Sequence, residues 1–128
     1  MTAALAPALR TEIVADLRSA GAAFALLHGS RARGEQRPGS DVDVAAWWPG
    51  APPPAFEVRV PDGVDLLVLN GAPLEIAGRV ALEGLLLFDD DPPARVHWQA
   101  TTRKIYADEL PRLTRSHREF LESLRRGR

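Results

Sequence analysis

The chain of 128 residues has no cysteine and only one methionine, one tyrosine and one lysine. The missing cysteines exclude disulfides and thiolate metal sites. Any metal would therefore fall to carboxylate, imidazole or water ligands. No apolar run approaches the roughly 20 residues that a membrane-spanning helix needs. The opening stretch, MTAALAPALRTEIVADL, carries acidic residues and no basic segment ahead of an apolar core, so it does not read as a secretory signal. These absences predict a cytoplasmic protein without membrane contact. Internal repeats, low-complexity tracts and domain linkers are also missing. We expect one domain over residues 1–128, and the 45% hydrophobic content supports a modest core in a chain of this length.

Charge is present but unevenly placed. Residues 1–94 hold 7 Arg against 13 Asp and Glu, a net of −6, and residues 95–128 hold 9 Arg and Lys against 4 acids, a net of +5. A basic tail suits nucleic acid, an acidic partner or a bound triphosphate. A solvated helix face accounts for most of those arginines. With Lys104 the only lysine, the arginine excess is partly compositional.

The stretch around which the rest is arranged is His28–Asp43, HGSRARGEQRPGSDVD. The apolar run of residues 22–27 leads into it as a buried strand, and Gly29-Ser30 breaks that strand. Ten residues on, Asp41 and Asp43 alternate with Val42 and Val44. Side chains two apart on a strand share a face, so the two carboxylates project together and the valines turn to the core. Neighbouring carboxylates repel unless a cation or proton lies between them. The residues therefore read as a divalent-metal site beside a phosphate-binding turn. Gly29 permits close backbone approach. A short helical turn over 31–36 would put Ser30 at its N-terminus, where phosphate is favoured.

Around this stretch the pattern predicts a helix over 8–20 with the stripe Leu9, Ile13, Val14 and Leu17, ended by Gly21. The first strand is expected over 23–28 and the second over 41–47, joined through Gly34, Pro38 and Gly39. Residues 49–54 form a stiff exposed connection, Phe56–Val60 a short strand, and residues 61–63 a turn. Val64–Leu69 is a strong third strand, and Asp65 is its one charge. If this strand pairs beside the second, Asp65 completes a cluster with Asp41 and Asp43. A helix over 73–83 and a strand over 84–88 follow. The run Asp89–Asp91 before Pro92 and Pro93 reads as a helix cap rather than a metal site. Helices over 92–109 and 112–125 are expected, divided at Pro111. His28 reads as a strand-end packing residue, His97 and His117 as helix residues, and Trp47 as a cap on the hydrophobic edge. Arg31, Glu35 and Arg37 read as solvated loop charges.

Taken together, Gly29-Ser30-Arg31-Ala32-Arg33-Gly34, Ser40-Asp41-Val42-Asp43 and Val64-Asp65-Leu66 resemble the minimal nucleotidyltransferase family, within the DNA polymerase β-like nucleotidyltransferase superfamily. The resemblance extends more loosely to LLLFDDDPPAR and departs in the short proline-rich segment between the second and third strands. It implies an α+β fold, with a small mixed β-sheet, helices packed on one face and a helical C-terminus. It implies two Mg²⁺ ions held by Asp41, Asp43 and Asp65, with Asp65 nearest the acceptor hydroxyl and able to take its proton. Gly29 and Ser30 would hold the β- and γ-phosphates of ATP, and Arg33 would offset their charge more readily than Arg31.

Relatives of this kind resemble antitoxins paired with HEPN-domain ribonuclease toxins. The implied reaction is transfer of AMP from ATP to a tyrosine hydroxyl of the toxin. No direct nucleic-acid binding is implied, and a homodimer or a hetero-oligomer with the toxin both remain open. Two alternatives stand beside this. One is a non-catalytic antitoxin acting by binding alone, against which the intact carboxylate triad argues. The other is a small-molecule nucleotidyltransferase of the aminoglycoside type, against which the lack of a second substrate domain argues.

Overall fold

A computed structural model describes residues 5–35 and 41–126. Arg37, Pro38, Gly39 and Ser40 lie outside the described residues. Helix α1 (Pro7–Ser19) opens on a proline and buries Ile13 and Leu17, while Leu9 and Val14 pack against the same core. This is the expected stripe. Gly21, at φ +96°, turns the chain into β1 (Phe24–His28). There follow β2 (Val42–Trp47), β3 (Val64–Val68), α2 (Leu74–Glu83), β4 (Leu85–Asp89) and α3 (Pro92–Arg125). The four strands lie in the order β3-β2-β1-β4. β1 is antiparallel to both β2 and β4, and β2 runs parallel to β3.

The α+β class, the small mixed sheet and the helical C-terminus match expectation. The helices, however, divide between the two faces of the sheet instead of sharing one. The cause is that β1 and β2 are apolar at both parities. Ala25, Leu27, Val42 and Val44 join α1 in one cluster. Phe24, Leu26 and Ala45 join Val80 of α2 and Trp98 of α3 in the other. On this second face Phe24 stacks on Trp47 with ring centroids 5.3 Å apart, so Trp47 does cap an apolar edge.

Two expected elements differ. Residues 56–60 are not a strand: Ala55–Glu57 is a single 3-10 turn, in which the Glu57 and Val58 N–H groups donate to the carbonyls of Pro54 and Ala55. Val58 is nevertheless buried, so the apolarity that suggested a strand serves core packing. The two C-terminal helices are one, running through Pro111. Proline removes a backbone donor, but Pro111 and Ala107, whose carbonyl loses that donor, are both exposed, and water can satisfy the carbonyl. The cap at Asp91 is as expected: its side chain accepts from the Ala94 N–H at 3.2 Å, and Asp89 pairs with Arg95 at 2.9 Å.

Candidate active site

The site sits where β1 ends and the parallel strands β2 and β3 begin. β2 is central, so its Asp43 has a neighbour on each side: His28 across the antiparallel register and Asp65 across the parallel one. Adjacent strands lie about 4.8 Å apart, which places the Asp43 and Asp65 carboxylates side by side. Asp41, two residues earlier, shares their face. Val42 and Val44 are buried on the opposite face. The pairing of β3 beside β2 therefore brings Asp65 to the same face as Asp41 and Asp43, where it is exposed.

The electrostatics record this crowding. Asp65 is pushed above its ordinary carboxylate value, first by the charge of Asp41, then by desolvation, then by Asp43 and a hydrogen bond with Asp41. A divalent cation relieves this repulsion. Among the described residues no group of three or more acidic or histidine side chains closes into a metal cage. Mg²⁺ does not require one, since it binds through one or two carboxylates with substrate phosphates and water completing the shell. The donor set fits that mode.

The turn after β1 begins earlier than expected. Gly29–Arg31 is one 3-10 turn, so Ser30 lies within a turn and not ahead of one starting at Arg31; Gln36, the end of the expected turn, lies outside the described residues. Gly29 starts the turn at φ +72°, a conformation costly for other residues. A Cβ at Gly29 would overlap the Asp43 carboxylate. Glycine here thus serves both the bend and the close approach of turn to acid. So short a turn has no useful helix dipole, and the groups it offers are its backbone and the Ser30 hydroxyl.

A cleft of about 300 Å³ opens beside the turn. His28, Gly29 and Asp43 form one wall, and Ile76, Arg79 and Glu83 of α2 form the other. Arg33 reaches its rim but is engaged by Glu35 at 3.1 Å and Glu83 at 3.6 Å. Arg79 is exposed and has no ion-pair partner among the described residues, which makes it the uncommitted cation of the cleft. Nothing near Arg79 in the chain signals this. It lies on a helix far along the sequence, and only the fold brings α2 over the Gly29 turn.

His28 packs at the strand end as expected. It is half-buried, and its Nε2 is buried without a hydrogen-bond partner. Desolvation lowers its pKa from the ordinary 6.5, with Asp43 acting in the opposite direction. The folded chain thus resists protonation that the unfolded chain accepts. Stability should be full above about pH 6.5 and fall as pH drops through the lowered value. A series of melts from pH 7.5 to 5 checks this, and His28→Gln should flatten the decline.

A small mixed sheet with a Gly-Ser turn after its first strand and acidic residues on two paired strands defines a nucleotidyltransferase-type domain. The comparison with known families agrees. The family model for the nucleotidyltransferase domain matches residues 11–78, more than half of the chain, and the chain belongs to that family. Among solved structures it is similar to a chain of a toxin–antitoxin complex with AMP-PNP, at TM-score 0.64 and 20% identity, covering 84% of this chain and 98% of the other. It is also similar to a chain of the toxin–antitoxin MntA-HepT, at TM-score 0.61 and 16% identity, covering 93% and 98%. A third likeness is to a chain of the tri-AMPylated Shewanella oneidensis HEPN toxin in complex with MNT antitoxin, at TM-score 0.59 and 18% identity, covering 86% and 97%. At these identities the likeness establishes the fold. No curated protein matches the chain.

Proposed function

We propose that this chain is an antitoxin that transfers AMP from ATP to a tyrosine hydroxyl of a HEPN ribonuclease toxin and so silences it. The observation that carries the reading is the pairing of Asp43 with Asp65, beside Asp41, against a glycine-hinged turn in an open cleft. The solved complexes with AMP-PNP and with an AMPylated HEPN toxin support the choice of nucleotide and acceptor.

In this reading the acceptor oxygen attacks the α-phosphorus, the bond to the β-phosphate bridging oxygen breaks, and pyrophosphate leaves. Asp65, the carboxylate set nearest the acceptor hydroxyl in this reading, takes its proton. Ser30 donates its hydroxyl to a terminal phosphate oxygen, and Gly29 keeps the backbone close. Asp41, Asp43 and Asp65 would hold Mg²⁺, which supplies charge stabilisation for the attacking and leaving oxygens. Arg79 offsets triphosphate charge directly, whereas Arg33 must first exchange its contacts with Glu35 and Glu83. A charge-assisted contact contributes about 1.5–3 kcal/mol. Arg79→Ala should therefore raise the KM for ATP about 10- to 100-fold with a smaller change in kcat, and Arg33→Ala should do less. Steady-state kinetics with varied ATP distinguishes the two.

The test of the function is an intact-mass comparison. The chain is mixed with a HEPN toxin, ATP and Mg²⁺, and both proteins are weighed, with Asp41→Ala/Asp43→Ala as control. An AMP increment on the toxin that the control lacks is the expected result. A stable complex without any increment would replace transfer with neutralisation by binding.

A further inference from the structure

A second groove among the described residues is separate from the carboxylates. It has a volume of about 490 Å³ and lies between α2 and the distal part of α3, lined by Glu75, Arg79, Tyr106, Leu113, His117 and Phe120. It arises from a mismatch in length. Helix α3 has 34 residues and α2 has 10, or about 51 Å against 15 Å. The helices run antiparallel. Gln99 and Arg103 donate to the Ala81 carbonyl at 3.1 and 2.7 Å. Tyr106 fills the space over Gly78. The apolar seam that begins at Tyr106 then continues past the end of α2.

That continuation keeps a heptad spacing, with Leu110, Leu113, His117, Phe120 and Leu124 at alternate intervals of three and four residues. Such spacing places side chains on one stripe suited to a facing helix. Leu110, Phe120 and Leu124 are 42%, 59% and 53% exposed. The charge along this part of α3 is net positive. Residues 110–126 carry five arginines against Glu119 and Glu122. Arg115, Arg118 and Arg125 have no ion-pair partner among the described residues.

We propose that this basic-rimmed seam docks an acidic amphipathic helix of the acceptor protein. This rests on the protein-AMPylation reading above. A second copy of the chain would bring two stretches of net +3 together, which like-charge repulsion opposes. Nucleic acid has no use for a leucine and phenylalanine stripe between the arginines. The groove also meets the nucleotide cleft, because Arg79 lines both. An acceptor seated on the seam therefore lies beside the bound triphosphate.

The experiment titrates a HEPN toxin and AMP-PNP separately against the wild type, the double variant Phe120→Glu/Leu124→Glu, and Phe56→Glu as a control on an unrelated exposed residue. Both seam residues are exposed, so the double variant should fold and bind AMP-PNP as the wild type does. Its toxin affinity should fall about 100-fold or more, as expected for removal of apolar anchors, with AMP transfer falling in parallel. Arg115→Glu/Arg118→Glu should slow association and reduce its salt dependence. Unchanged toxin affinity in the double variant overturns the docking surface while leaving the function intact. Loss of a homodimer without loss of toxin binding assigns the seam to self-association, and loss of RNA binding assigns it to nucleic acid. Each of those outcomes overturns the proposal. Failure of the wild type to bind any HEPN toxin while still binding AMP-PNP overturns the acceptor reading, and the docking proposal with it.

Discussion

Replacing Asp43 by asparagine should lower AMP transfer by about 1,000-fold or more while leaving the fold intact. The substitution keeps shape and removes one charge. Charge stabilisation by a bound cation amounts to several kcal/mol, and each 1.36 kcal/mol is tenfold in rate. Asp43 is the carboxylate most exposed to this loss, because it lies between His28 and Asp65 in the sheet register and faces the Gly29 turn. Without metal its charge adds to the repulsion that raises the Asp65 pKa. Asp43→Asn should therefore melt in the absence of Mg²⁺ at or slightly above the wild-type temperature. Single-turnover AMP transfer and a melt with and without Mg²⁺ read both effects. Retained transfer would remove Asp43 from the chemistry.

Gly29→Ala should be nearly as damaging to activity through geometry alone. Its backbone is at φ +72°, a conformation that costs other residues about 1–3 kcal/mol. Its new Cβ would also overlap the Asp43 carboxylate. The acid or the turn must move, and a displacement of about 1 Å at a reacting centre can cost 100-fold. Gly71 separates the two causes. It has φ +75° and open space where a Cβ would go, away from the cleft. Gly71→Ala should lose comparable stability yet keep transfer close to wild type. Equal activity loss in both variants would show that general destabilisation, not the Asp43 clash, is responsible.

Much of this arrangement is legible from residue pattern. Alternation of two places Asp41 and Asp43 on one face, and the lone charge in the run from Val64 to Leu69 points to Asp65. The strands before and after the Gly-Ser turn follow from apolar runs bounded by glycine and proline. What escapes is what depends on distant partners. Val58 and Val60 look like strand residues because burial in the α1-side core selects the same side chains. Pro111 looks like a helix end because its tolerance depends on an exposed carbonyl four residues back. Arg79 carries no local mark, and its place in the cleft follows from how α2 crosses the sheet. Arg33 is visible as a charge near the turn, but Glu83, which holds it, is 50 residues away.

The parallel register between β2 and β3 has a consequence for biosynthesis. The pairing Asp43 with Asp65 and Val42 with Val64 joins segments that the chain makes about 20 residues apart, with no intervening helix to guide them. A slip of one position would send Asp65 to the opposite face of the sheet. A nascent or misassembled chain therefore lacks the third carboxylate, however much secondary structure it has formed. On the proposed function, competence to transfer would then depend on correct pairing of β2 with β3.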